Sequence, residues 1–168
     1  MMEIRILGES DAGQYQGLRL SALKRNPEAF GSTYEREVQF PLETVKERIL
    51  PEKDRFVLGA FDSEGKLAGI VVFMRENGAK FSHKGNVFGM YVAPESRGEG
   101  VGKLLLEELI RLAKQCEGLE QINLAVVSDN IPAKRLYSSF GFEVYGVERK
   151  ALKWMGQYFD EDLMVLHI

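Results

Sequence analysis

Residues 85–113 read GNVFGMYVAPESRGEGVGKLLLEELIRLA, and the change of period inside this stretch decides the fold. Before Pro94 the residues are mostly apolar, with β-branched and aromatic side chains, the composition of a strand. Gly89 interrupts that strand from within, which predicts a bulge or a close backbone approach. After Gly100 the apolar residues recur at helical spacing: Val101, Leu104, Leu105, Leu109 and Leu112 fall on one face, while Lys103, Glu107, Arg111 and Lys114 fall elsewhere. Between the two periods stand Gly98, Gly100 and Gly102, flanked by Arg97 and Lys103. A strand that enters a helix through such a loop presents unpaired N–H groups at the positive end of the helix dipole. An anion fits there, and glycines remove the Cβ atoms that would hold a bulky phosphate away from the backbone.

The same loop would also serve as a plain tight turn, so the spacing has to discriminate. A Walker loop requires G-x-x-x-x-G-K-[ST], but only three residues separate Gly98 from Gly102, and Leu104 follows Lys103 where a magnesium-binding hydroxyl is needed. The dinucleotide fingerprint requires G-x-G-x-x-G after the first strand of a βαβ unit; here the spacing differs and the strand follows a hairpin. Nucleoside triphosphates and NAD are both poor fits.

At the N-terminal end EIRILGES alternates as a half-buried strand, Ser10 or Asp11 can cap a helix carrying Tyr15, Leu18 and Ala22, and Asn26-Pro27 ends that helix. A second helix follows Pro41. FVLGAFD and KLAGIVVFMREN form a hairpin around DSEGK. QINLAVV is a strand with Ile122, Leu124 and Val126 on one side. IPAKRLYSSF is a short helix with Pro132 in its first turn and Gly141 at its C-terminal cap, and FEVYGVER and YFDEDLMVLHI supply two last strands. The order β-α-α-β-β-β-α-β-α-β-β is α/β with a mixed, mainly antiparallel sheet and one strand–helix–strand crossover at the glycine loop. No linker or composition shift divides the chain, so residues 1–168 are expected to form one domain.

Charge and composition narrow the partners. A formal net charge of −3 and a pI near 5.6 leave no electrostatic basis for strong nonspecific binding to nucleic acid or anionic membrane. No apolar stretch is long enough for a membrane span, and the N-terminus lacks a signal-peptide pattern, so a cytoplasmic protein is expected. Cys116 is the only cysteine, at the end of the long helix, and reads as a small, partly buried side chain. No metal site is expected.

The loop and a second pattern together resemble the GNAT superfamily of acyl-CoA-dependent N-acyltransferases. The family signature Arg/Gln-x-x-Gly-x-Gly/Ala stands here as Arg97-Gly98-Glu99-Gly100-Val101-Gly102, preceded by MYVAPE; a second signature stands as Asn130, Ala133, Leu136-Tyr137 and Gly141-Phe142. The resemblance implies splayed central strands and a pyrophosphate of coenzyme A on the backbone amides of residues 98–103, including Lys103. It also implies that Met90, Tyr91 and Val92 offer backbone groups to the pantetheine arm, with Asn130 beside the cofactor. The implied reaction is direct attack of a primary amine, on a small molecule or a protein, on acetyl-CoA, with coenzyme A as product. Tyr137 matches the position of the acid that protonates the leaving thiolate. A homodimer is compatible with the resemblance.

The base and the acceptor are less defined. Some relatives carry a glutamate on the strand before the asparagine, at the position of Ala125 here, so the base comes through water or from elsewhere, with Glu35, Glu37, Asp160 and Glu161 as candidates. That substitution also motivates the alternative of a non-catalytic acyl-CoA sensor or interaction module. For the acceptor, Phe30, Ser32 and Tyr34 are expected to line one wall of a pocket and Trp154 and Tyr158 the other.

Overall fold

The computed structural model describes all 168 residues. In chain order they form β1 (Glu3–Ile6), α1 (Ala12–Arg25), α2 (Tyr34–Glu37), α3 (Leu42–Ile49), β2 (Arg55–Phe61), β3 (Leu67–Arg75), β4 (Lys84–Val92), α4 (Val101–Ala113), β5 (Gln121–Val127), α5 (Ile131–Ser139), β6 (Glu143–Trp154) and β7 (Gln157–His167). The strands make one seven-stranded sheet in the order β1-β2-β3-β4-β5-β7-β6. Only β4 and β5 run parallel, joined by the α4 crossover, and every other neighbour is antiparallel. The expected α/β fold with a mainly antiparallel sheet is therefore the observed one.

Alternation along the strands sends apolar residues to both faces, so the sheet carries a core on each side. On one face Val71, Phe73, Val87, Ile122, Leu124 and Val126 pack against Val101, Leu105, Leu106 and Leu109 of α4 and Tyr137 of α5. On the other, Val57, Leu67, Ile70 and Tyr91 meet Ala12, Tyr15 and Ala22 of α1 and Val45 and Ile49 of α3.

Two sequence expectations shift in detail. The buried stripe of α4 is Val101, Leu105, Leu106, Leu109, Ile110 and Ala113, whereas Leu104 is exposed and Leu112 half-buried. The helix is rotated from the expected face so that this stripe lies against β1, β2, β3 and β4, which it crosses. Asp11 precedes α1, but its carboxylate caps no helical N–H. It accepts instead from Gly8 N–H at 2.8 Å and from both terminal nitrogens of Arg5 at 2.8 and 2.9 Å, tying β1 to the start of α1.

Glycine sets the seating of α4. A Cβ on Gly69 would lie 3.0 Å from Val101 Cγ1, 3.1 Å from Leu105 Cδ1 and 3.3 Å from the Tyr91 carbonyl oxygen. The first turn of α4 therefore rests directly on the β3 backbone. Gly69→Val would force those groups apart, and overpacking of this kind costs about 1–3 kcal/mol; urea titration should show a lower midpoint with an unchanged slope.

Candidate functional site

The site begins where the sheet opens. β4 and β5 pair at only three positions, Lys84 with Gln121, Gly85 with Ile122 and Asn86 with Asn123, and then separate. β5 stays in register with β7 to Val127, while β4 runs on to Val92 against β3 alone. The β3–β4 register shifts between Ile70–Tyr91 and Val72–Phe88, leaving β4 with one extra residue. Gly89, at φ +57°, lies in that bulge as its sequence position predicts.

Hydrogen-bond alternation fixes which groups face the opening. Ala93 N–H donates to the Ala68 carbonyl at 2.8 Å, so Ala93 and, two residues back, Tyr91 point toward β3. Met90 and Val92 point outward, toward the gap. This corrects the expectation for Tyr91: its backbone serves the sheet, and its buried ring packs edge-on against Phe30 at 6.2 Å on the α1 face. The outward Val92 carbonyl accepts from Arg97 Nε at 3.1 Å, which folds the exposed arginine back over the strand end.

At the mouth of the gap the glycine loop turns into α4. Gly98 and Gly100 adopt φ of +81° and +77°, with open space where a Cβ would stand. The first helical bond runs from Leu104 N–H to the Gly100 carbonyl at 3.1 Å, and no side chain caps the helix. The N–H groups of Val101, Gly102 and Lys103 therefore have no helical acceptor. Gly102 has a further reason to be glycine, since a Cβ there would meet Leu136 Cδ2 of α5 at 3.1 Å. Glu99 and Lys103 are exposed.

Across the gap, Asn130 caps α5 by accepting from Ala133 N–H at 3.3 Å, which leaves its NH2 group without a protein acceptor. Tyr137, two turns on, is buried against Phe142 with ring centroids 5.8 Å apart. Its hydroxyl has no protein partner and is not sealed from solvent, in contrast to that of Tyr91. Burial pushes its pKa up to about 12, so it stays in the proton-donating form throughout the neutral range. α5 is anchored by a group that the sequence reading missed: Asp162 on β7 accepts from Ser128 Oγ at 2.6 Å and pairs with Lys134 Nζ at 2.7 Å. The bonds from Lys134 and Ser128 hold its carboxyl below the usual range.

The four carboxylates considered as bases separate clearly. Glu37 is buried and accepts from Arg19 Nε and Nη2 at 3.1 and 3.0 Å and from Arg48 Nη1 at 3.4 Å. Burial opposes its charge, but the bonds from Arg19 and Ser32 prevail and lower its pKa, which makes it a poor base. Asp160 accepts from Lys150 N–H at 2.8 Å and holds the β6 irregularity. Glu35 is exposed. Glu161 has a raised pKa, from burial first and the facing Glu148 second.

The position of Glu161 follows from register. Asp162 and Met164 point to the α4–α5 side, so Glu161 and Leu163 point to the other face, beneath the segment that follows α1. Ala125 pairs with Leu163 and Val127 with Glu161. Glu161 is thus the diagonal neighbour of Ala125, a spacing of about 7–8 Å that a long side chain spans.

On that face lies a cavity of about 350 Å³ lined by Phe30, Ser32, Tyr34 and Trp154 together with Leu23, Lys24, Glu28, Glu35, Leu152 and Lys153 among others. Four of the five expected wall residues come together there. Tyr158 does not: its exposed ring lies on the β6–β7 hairpin between the ammonium groups of Lys150 and Lys153, at 4.7 and 5.1 Å. The hairpin carries Trp154 to the cavity and leaves Tyr158 beyond it.

The Glu37 ion pairs set an acid limit to stability. A lowered folded-state pKa means that their contribution is fully present above the ordinary value of 4.5 and is lost as pH falls through the lower folded value. Glu37→Leu leaves two guanidinium groups without their shared partner and should cost about 3–5 kcal/mol at pH 7, with a smaller loss at the acid end, read by urea titration across pH.

Comparison with known proteins places these features in a family. Residues 21–142 match the model of the Acetyltransferase (GNAT) family. The L-amino acid N-acetyltransferase AaaT of Escherichia coli K12 is 24% identical over 160 residues, 95% of each chain. A GNAT-family acetyltransferase from Streptococcus pneumoniae superposes with a TM-score of 0.88 at 25% identity over 100% of both chains. The yncA protein of Salmonella typhimurium, solved with its cofactor acetyl-CoA, shares the fold with a TM-score of 0.79 at 23% identity, covering 99% of this chain and 94% of that one.

Proposed function

The chain belongs to the Acetyltransferase (GNAT) family and is an acetyl-CoA-dependent N-acetyltransferase, and on that premise we propose which of its residues carry the transfer of an acetyl group to a primary amine. The observation that carries the assignment is the open edge of β4 leading directly to the uncapped start of α4. Residues 1–168 act in this reading as one catalytic domain.

Backbone N–H groups of residues 98–103 hold the pyrophosphate, with Arg97 and Lys103 adding positive charge at the loop. The outward groups of Met90 and Val92 bond the pantetheine arm as a neighbouring strand would, and the free NH2 of Asn130 lies on the facing side of the gap. Acetyl-CoA supplies the acetyl group as an activated thioester. At the bulge, backbone N–H groups released from β3 are available to the thioester oxygen as negative charge develops on it. Glu161, whose raised pKa makes it a stronger base than an ordinary glutamate, takes the proton from the attacking amine over the small side chain of Ala125, directly or through one water. Tyr137 donates its hydroxyl proton to the departing sulfur. The amine enters through the cavity walled by Phe30, Ser32, Tyr34 and Trp154.

Free-thiol release from acetyl-CoA, measured over a broad panel of primary amines, tests the activity. Thiol release with at least one class is expected; none with any amine, from protein that binds coenzyme A, would overturn catalysis. Because the Tyr137 hydroxyl has no protein partner, Tyr137→Phe should fold normally and bind acetyl-CoA as before. Its kcat should fall about 10²-fold or more, the usual weight of a positioned acid; unchanged turnover would remove Tyr137 from the chemistry. Activity requiring ionised Glu161 rises with pH through a pKa above 4.5, and Glu161→Gln should abolish that limb of the kcat/KM profile and lower the plateau.

A further inference from the structure

The guanidinium of Arg19 stands beside the β4 bulge in a fixed pose with one corner free. Its Nε and Nη2 donate to the two oxygens of Glu37, and its Cζ lies over the Phe30 ring, 5.0 Å from the centroid. Nη1 has no protein acceptor and lies 3.6 Å from the point where a Cβ on Gly89 would stand. Glu37 also pairs with Arg48, so two guanidinium groups share one carboxylate and the cluster carries a net positive charge. The side chain of Arg19 is only 14% exposed. A partly desolvated arginine, oriented by a bidentate partner and presenting unused N–H bonds, can hold an anion without first being reoriented itself.

We infer that Arg19 Nη1 binds the carboxylate of the acceptor, and that the acceptor is an α-amino acid acetylated on its α-amino group. This rests on the reading that transfer takes place at the bulge. The attacking nitrogen must then stand beside Gly89, and the free corner of Arg19 is already there. An anion held by that corner can be separated from the reacting nitrogen by only a bond or two. α-Amino acids meet this condition. Polyamines would bring a second ammonium toward a cluster that is already positive, ω-amino acids hold the carboxylate too far from the amine, and a peptide N-terminus has no carboxylate at that place. Gly89 is part of the device, because a side chain there would occupy the space that the carboxylate needs. The amino-acid side chain is directed past Phe30, whose ring packs against both Arg19 and Tyr91 and also lines the cavity.

Matched substrates test this on the intact enzyme. For aliphatic, aromatic and acidic side chains, kcat/KM is measured for the L-amino acid, its carboxamide and its decarboxylated amine, each expressed per unprotonated amine. Loss of a hydrogen bond to a charged group predicts a preference of about 10- to 100-fold for the acid. Arg19→Lys keeps a cation for Glu37 while losing the planar fork; it should erase most of that preference by raising KM for the acids alone, with the melting curve checking the fold. Equal kcat/KM for acid, amide and amine in the parent enzyme overturns the inference and leaves acetyl transfer standing. A uniform loss with all three substrates in Arg19→Lys also overturns it. Thiol release with none of them or with any other amine, despite acetyl-CoA binding, defeats the underlying reading of the site instead.

Discussion

The separation of β4 from β5 after Asn86 and Asn123 is the constraint on which the rest of this structure depends. Two parallel strands that stayed paired would consume each other's backbone groups. Held apart, they leave the outward N–H groups of Met90 and Val92 without a strand partner. The opening is imposed from both sides. β5 is committed along its length to β7, and β4 is held to β3 beyond the Gly89 bulge. Beneath the gap, α4 rests on the Gly69 backbone and on α5 across Gly102, so that the opening ends at the uncapped helix start. A ligand with an amide-bearing arm and a phosphate group complements both features in one extended pose.

Burial around the gap acts on two titratable groups with opposite chemical results. Desolvation disfavours the charged form of any acid. For Tyr137 it keeps the phenol protonated and therefore a donor; for Glu161 it raises the affinity of the carboxylate for a proton. In the proposed transfer one physical effect thus favours a proton donor on α5 and a proton acceptor on β7, which project from opposite faces of the sheet. Glu37 is buried too and yet its pKa is lowered: the bonds from Arg19 and Ser32 and the charges of Arg19 and Arg48 outweigh desolvation and turn it into the anchor of a cation.

Much of this was legible in residues 85–113. The switch from strand to helical period located β4 and α4, the internal glycine located the bulge, and the spacing of the three glycines removed competing phosphate motifs. The second pattern, from Asn130 to Phe142, located α5 and Tyr137. What escaped the sequence depends on pairing between distant segments. The direction of the Tyr91 backbone follows from its register with β3, and the face of α4 is set by the strands that it crosses. The place of Glu161 beside Ala125 follows from β5–β7 register, and the Asp162 anchor joins residues 34 apart in sequence. Tyr158 was expected at the acceptor wall because the hairpin that separates it from Trp154 has no signature beyond Met155-Gly156. Arg19 was unmarked for a similar reason: on an amphipathic helix an arginine reads as surface, and only the return of Glu37 through α2 draws it inward.

The most direct test of the central claim is an amide-resolved NMR titration with acetyl-CoA. The largest shifts are expected on the N–H groups of Met90, Val92 and residues 98–103, while the N–H of Tyr91, directed at β3, moves little. Strong shifts confined to other surfaces, with the β4 edge and the start of α4 unperturbed at saturation, would contradict that claim.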